Sequence, residues 1–327
     1  MERILRRSNV LVTGGAGFIG SNLVESLLRT DNNVVCLDNF STGKRENIRD
    51  FIPNPKFKLI EGDIRNYTDC EKAVKGIDIV FHEAALGSVP RSLKDPVTTA
   101  DVNIGGFVRM LFASKEAGVA RFIYAASSST YGDHPDLPKV EDKIGNPLSP
   151  YGITKFADEL FAENFAINYN IEVIGLRYFN VFGKRQDPEG AYAAVIPKFI
   201  NLLLRHERPV INGDGSYSRD FTYIDNIIQA NHLSALVKDG KAVNQVYNIA
   251  YGNRTTLNQL FTMIKEIAGR YDRDILEIEP VYGPERKGDI PHSQAAVGKA
   301  EKLLGYAPGH NVAAGMEETV GWFRKNL

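Results

Sequence analysis

The chain has 327 residues with 39 basic against 40 acidic side chains, a balance that marks it for neither nucleic acid nor an anionic membrane. Arg3, Arg6 and Arg7 precede the apolar run Val10-Leu11-Val12, but that run stops at Gly14-Gly15, too short for a secretory leader or a membrane span. Cys36 and Cys70 stand in no metal or redox spacing and read as reduced, buried thiols of a cytoplasmic protein that holds no metal.

Taken in order, the chain begins as strand, glycine turn and helix. Val10-Leu11-Val12 meets glycines at 14, 17 and 20, and Ile19, Leu23 and Leu27 then recur at helical spacing. Gly14 permits a tight turn, Gly17 lets a pyrophosphate approach the backbone, and Gly20 lets the helix close on the strand. The helix N-terminus would then face the phosphates. The spacing is Gly-x-x-Gly-x-x-Gly, which a merely tight turn would also satisfy. The next buried-strand run, Val34-Val35-Cys36-Leu37, ends in Asp38, placed to bind the adenosine ribose and to repel a 2′-phosphate. The cofactor expected is therefore NAD rather than NADP.

Further strands are expected at 57–60, 77–81 and 122–126, with a long helix over 96–118. Strands alternating with helices mean a parallel sheet with right-handed crossovers, and ligands bind beyond its carboxyl ends. Asp38, Asp63, Ala84 and Ser127 should line one such crevice. His82 ends an apolar strand and reads as a hydrogen-bonded core histidine ahead of an acid or base. Ser149-Pro150 suits the start of a helix, with Ser149 as cap and Pro150 in the first position. Tyr151 and Lys155 then share one helix face, and an ammonium beside a phenol favours its charged form. That makes Tyr151 a candidate general base and Ser127 a candidate partner for the oxygen it deprotonates. Tyr-x-x-x-Lys also arises by chance in many helices, so only its company gives it weight.

With these residues in view the chain resembles the extended short-chain dehydrogenases/reductases, and within them the nucleotide-sugar 4-epimerases. The likeness runs through Val12–Gly20, Leu37–Gly43, Gly62–Arg65 and Leu176–Gly183. Within that group Ala84–Ser92, Ala125–Pro135, Gln186–Pro188 and Gly190–Pro197 resemble the bacterial UDP-N-acetylglucosamine 4-epimerases, which serve O-antigen and similar polysaccharide synthesis. The resemblance implies an α/β fold: a Rossmann-type doubly wound parallel sheet with a smaller mixed α/β substrate lobe. It implies NAD contacts from Gly14, Gly17, Phe18, Ile19, Asp38, Asn39, Gly43, Asp63, Ile64, Ala84, Ala85, Tyr151, Lys155 and Tyr178. It implies catalysis by Ser127, Tyr151 and Lys155. UDP-sugar contacts are implied from Ser88, Ser127, Ser129, Asn180, Ala194, Val195, Arg219, Arg286, Asp289 and Ser293, with the two arginines on the pyrophosphate and Asp289 on the uridine ribose.

Two positions bear on the reaction. Related 4,6-dehydratases place Thr-Asp-Glu where Ser127-Ser128-Ser129 stand, so this turn lacks their acid and base. At Ser293, epimerases confined to non-acetylated sugars carry a tyrosine, and a serine leaves room for an N-acetyl group; an ordinary loop serine is the plainer reading. The expectation is reversible C4 epimerisation of UDP-GlcNAc and UDP-GalNAc, with UDP-glucose and UDP-galactose possible. A UDP-hexuronate epimerase, a dehydratase or decarboxylase, and a non-catalytic NAD-binding protein are the alternatives. An NAD-binding domain is expected over 1–183 and a UDP-sugar lobe over 184–327, interleaved, with room for part of the later chain to return to the sheet. The resemblance also implies that helices near 96–118 and 150–170 pair across a homodimer.

Overall fold

The computed structural model describes residues 3–190, 193–285 and 290–327. Seven short apolar runs become strands: β1 (Asn9–Thr13), β2 (Asn33–Asp38), β3 (Phe57–Glu61), β4 (Ile79–His82), β5 (Arg121–Ser127), β6 (Glu172–Tyr178) and β7 (Gln245–Ile249). They form one sheet in the order β7-β6-β5-β4-β1-β2-β3, every pairing parallel. Both faces are covered, which is why the strands read as nearly continuous apolar runs. Side chains alternate across the sheet: Val10 and Val12 join the core on one face, Leu11 the core on the other.

On the first face lie α1 (Phe18–Arg29) and a later helix, Ile224–Leu236, which packs against α1. On the other lie Tyr67–Ala73, α2 (Phe107–Glu116) and α3 (Pro150–Tyr169). The helix expected over 96–118 is not uniform: Pro96–Ala100 runs into a π-helical stretch, Asp101–Gly106, before α2. The wide turn is used. Asn103 donates to Leu86 O and Thr154 Oγ1 and accepts from Leu86 N, tying the cleft wall to α3.

Past residue 183 the chain returns to the sheet. Helix Ile224–Leu236 and strand β7 both belong to it, and Asn244 clamps β7 to β6 through two hydrogen bonds with Val173. The remainder forms the smaller lobe, built on α4 (Val195–Leu204) and α5 (Leu257–Gly269), which pack together. Thr256 and Gln259 make a reciprocal capping box at the start of α5. Strand Ser218–Arg219 pairs with Thr255–Thr256, and Val210–Asn212 with Val281–Gly283. Among the described residues, no helix is long and apolar enough to cross a membrane.

Candidate active site

The strand order reverses between β1 and β4, and a cleft opens there. Gly14, Gly17, Phe18, Ile19, Asp38, Asn39, Asp63, Ile64, Ala84 and Ala85 all line it. Gly14 has φ +66°, and a Cβ on it would lie 2.8 Å from the Ala84 backbone. Gly17 caps α1 with no side-chain hydrogen bond, so the first-turn amides face the cleft without a protein acceptor of that kind. Gly43 packs behind the wall, where a Cβ would stand 2.9 Å from Asp38 Oδ1.

Asp38 does more than the sequence suggested. Its Oδ2 accepts from Ala16 N at 2.9 Å and its Oδ1 from Phe40 N at 2.8 Å, so it braces the glycine turn. Burial lifts its carboxyl above the usual range, against the pull of these two donors. Asp63 is held low, at about 2, chiefly by the Arg65 guanidinium; it also accepts from Asn39 Nδ2 at 2.9 Å. This cradle fits a dinucleotide: uncapped amides for the pyrophosphate and a carboxylate at the ribose.

Ser149 Oγ accepts from Gly152 N at 3.1 Å and Pro150 follows, fixing the start of α3. A Cβ on Gly152 would be 2.9 Å from Ser129 O, so this first turn presses on the serine turn after β5. Ser127, buried at the end of β5, accepts from Ser129 N at 3.1 Å. Half-buried Tyr151 stands one turn before Lys155, whose side chain is only 3% exposed. Lys155 Nζ donates to Ala125 O at 2.9 Å and to Asp158 Oδ2 at 3.3 Å. Burial opposes its charge, yet Asp158, Tyr151 and Glu83 together hold its pKa above the ordinary lysine value. His82 is buried, shares a 2.9 Å hydrogen bond with Thr13 Oγ1, and is driven down to about 3 by burial and then by Lys155.

Ser127 is not on the cleft wall but one strand beyond it, and Asn180 follows the next strand, β6. Asn180 lines a second cavity, shared with Val195 and Arg219. In strand order Ser127 thus lies between β4, whose following residues line the first cleft, and β6, which leads to Asn180 of the second. Ala194 caps α4, whose N-terminus reaches this second cavity. Arg219 donates to Ser218 O and Pro291 O, both at 3.0 Å. Ser293 N donates to Ser218 O at 3.1 Å, which sets Ser293 beside the strand that carries Arg219. Ser88, next to Gly87 of the cleft wall, caps Val89–Lys94 with φ +113°, a strained value for a non-glycine residue. Arg286 and Asp289 lie outside the described residues.

Several site residues were not singled out from sequence. Tyr217, Phe221 and Leu257 line the second cavity beside Arg219. Asp220 is fully buried and gathers Gly252 N and Ala295 N, pinning the segment next to Ser293; burial pushes it up to about 7. Glu83 lines the first cleft and accepts from the Tyr178 hydroxyl at 2.9 Å, while Asn231 Nδ2 donates to that hydroxyl at 2.9 Å. Tyr178, expected to meet the cofactor, thus has its hydroxyl committed to these two side chains. Burial pushes Glu83 up to about 7, opposed by Tyr178 and Lys155. Its signal was a carboxylate directly after a buried strand. Among the described residues, no cluster of His, Cys, Asp and Glu could hold a metal.

The profile of the NAD dependent epimerase/dehydratase family matches residues 10–250. A putative UDP-glucose 4-epimerase from Methanocaldococcus jannaschii is 36% identical, over 97% of this chain and 99% of its own. A UDP-N-acetylglucosamine 4-epimerase from Methanobrevibacter ruminantium M1, solved with UDP-N-acetylmuramic acid, has TM-score 0.91 and 40% identity, covering 99% of this chain and 100% of its own. A UDP-glucose 4-epimerase from Thermotoga maritima, solved with UDP-glucose, has TM-score 0.89 and 40% identity, covering 97% and 99%.

Proposed function

The chain belongs to the NAD-dependent epimerase/dehydratase family, and on that footing we propose that it is a UDP-sugar 4-epimerase acting in the cytoplasm, with UDP-GlcNAc and UDP-GalNAc as its preferred pair. The observation that carries the reading is the sheet edge itself. Ser127 ends β5, the strand between β4 and β6, and Lys155 reaches Ala125 O of that same strand from the start of α3. NAD, held by the glycine turn and Asp38, supplies a hydride acceptor and donor at C4. Tyr151 takes the 4-hydroxyl proton and later returns it. The Lys155 ammonium stabilises the phenolate, and Ser127 hydrogen-bonds the C4 oxygen in both sugar orientations. Arg219 and the N-terminus of α4 hold the pyrophosphate while the sugar turns over. Ser127-Ser128-Ser129 offers no acid and base for elimination, which favours epimerisation over dehydration.

Ser293 carries the proposal for the N-acetyl group. In Ser293→Tyr, kcat/KM on UDP-GlcNAc should fall by about 10²-fold or more while UDP-glucose is spared, because a phenol fills space beside C2. The check is product analysis on the N-acetylated, plain and uronate pairs, for wild type and variant. Equal losses on the first two would sink the assignment; a wild-type preference for the uronate pair would replace it. Epimerisation leaves substrate mass unchanged and no lasting NADH absorbance.

A second copy of this chain is the proposed partner. The inward face of α3 carries Lys155, Asp158, Ala162 and Phe165, all buried, while Ile153, Leu160 and Ile167 lie exposed elsewhere on the helix. Leu93 and Val97 are exposed nearby, Val97 at 78%. Apolar surface of this kind suits an isologous helix-pair interface. The pair Val97→Asp and Leu160→Glu should halve the mass seen by light scattering; a monomeric wild type would refute the interface.

A further inference from the structure

We propose that Asp158 is a positioning residue for the reaction: one turn beyond Lys155, it holds the lysine ammonium against the end of β5 and keeps it charged. This rests on the reading of Tyr151 and Lys155 given above.

The geometry is specific. An ammonium has three N–H donors. Lys155 gives one to Ala125 O at 2.9 Å and one to Asp158 Oδ2 at 3.3 Å, which leaves one for the phenol and the cofactor side. Those two acceptors, one on β5 and one on α3, fix a long side chain that would otherwise have many rotamers. Asp158 is 1% exposed, and its other oxygen, Oδ1, is buried with no hydrogen-bond partner among the described residues. A carboxylate serving only to stabilise the helix would have its oxygens satisfied. Burial instead pushes this carboxyl up to about 7, and among the described residues its side chain pairs with the lysine. A costly buried acid beside a candidate catalytic group is the pattern of a functional arrangement.

The surrounding charges leave Asp158 this task. On α3, Glu159 is engaged bidentately by Arg177 of β6, at 2.8 and 2.7 Å, and its field also opposes the charged form of Asp158. On β4, His82 is uncharged at neutral pH, and Glu83 adds a second carboxyl whose field reaches Lys155. On β5, Tyr124 is buried and held in its neutral form, first by burial and then by Glu159 and Asp158. On β6, the Tyr178 hydroxyl is committed to Glu83. Asp158 is thus the sole carboxylate in hydrogen-bond contact with Lys155 among the described residues.

The direction of the pH effect follows. Burial acts on Lys155 whether or not Asp158 is present, and burial lowers a lysine pKa. Removing the carboxylate charge should therefore move the alkaline limb of kcat to lower pH. The experiment uses Asp158→Asn, which keeps the shape, in the NAD-loaded enzyme. We expect kcat to fall by about 10- to 100-fold, KM for the UDP-sugar to stay within about twofold, and the alkaline limb to drop by at least about one pH unit. Glu83→Gln, which weakens the field at Lys155 without removing a hydrogen bond to it, should shift the limb the same way by less, and supplies the readout if Asp158→Asn does not fold. An unchanged pH profile in these variants, whatever the loss of rate or stability, overturns the proposal. Lys155→Met separates the two readings. If it retains near-normal turnover, the catalytic assignment beneath fails. If it is inactive while Asp158→Asn matches wild type in rate and pH profile, only the role of Asp158 fails.

Discussion

Tyr151→Phe is expected to lose at least about 10³-fold in kcat while remaining folded and loaded with NAD. The substitution deletes one oxygen. The phenol is half-buried, and the hydrogen bonds that fix this turn of α3 come from Ser149, Thr154 and Lys155 rather than from Tyr151's hydroxyl. Removing a positioned proton acceptor costs about 10²- to 10⁴-fold. Here the same group would act in both half-reactions, which places the loss in the upper part of that range. KM should change little, because the proposed UDP anchors lie around Arg219 in the other cavity. Ser127→Ala should be milder, since a bound water can replace a hydroxyl that only positions. Turnover by product analysis, with NAD content measured on the denatured protein, checks both; a Tyr151→Phe enzyme near the wild-type rate refutes the base assignment.

Gly20→Ala is expected to yield a protein without bound NAD. A Cβ on Gly20 would sit 2.1 Å from Gly14 O, 2.8 Å from Gly14 C and 2.9 Å from Gly15 Cα. All three are backbone atoms, so no side-chain rotation relieves the clash. Either α1 moves away from β1 or the glycine turn opens, and each spoils the cradle beneath the pyrophosphate. Gly298→Ala is the control. It meets nothing within 4 Å and starts a helix, so it should be neutral or slightly stabilising, by about 0.4–1 kcal/mol. Wild-type NAD content in Gly20→Ala would show that the turn tolerates more movement than its packing suggests.

The sheet and the cofactor cleft were legible because their signals are local. A parallel strand buried on both faces is a compact apolar run, and the carboxylate that closes β2 follows it directly in sequence. Ser127, Tyr151 and Lys155 could be named because each sits at the end or start of such an element. The rest depends on contacts between distant segments. Asp158 beside Lys155 reads in sequence as an ordinary i, i+3 surface pair, and only packing against β5 turns that face inward. Glu83 gains its meaning from Tyr178, which is 95 residues away. The π-helical stretch at Asp101–Gly106 has no periodic signature of its own. The run over 246–249 reads as a strand by itself, but the place of β7 depends on an edge that β6 leaves open.

That last pairing has a consequence for the newly made chain. Strand β6 ends at Tyr178 and β7 at Ile249, so 71 residues must be synthesised before the β6 edge is covered. At about 5–20 residues per second this is an interval of roughly 4 to 14 s. Throughout it the nascent sheet presents a row of unpaired backbone donors and acceptors along Glu172–Tyr178, open to any other extended strand. The enzyme's vulnerable period thus falls late in its own translation, after the cofactor half has all its strands but one, and crowded ribosomes on one message would bring several such edges close together.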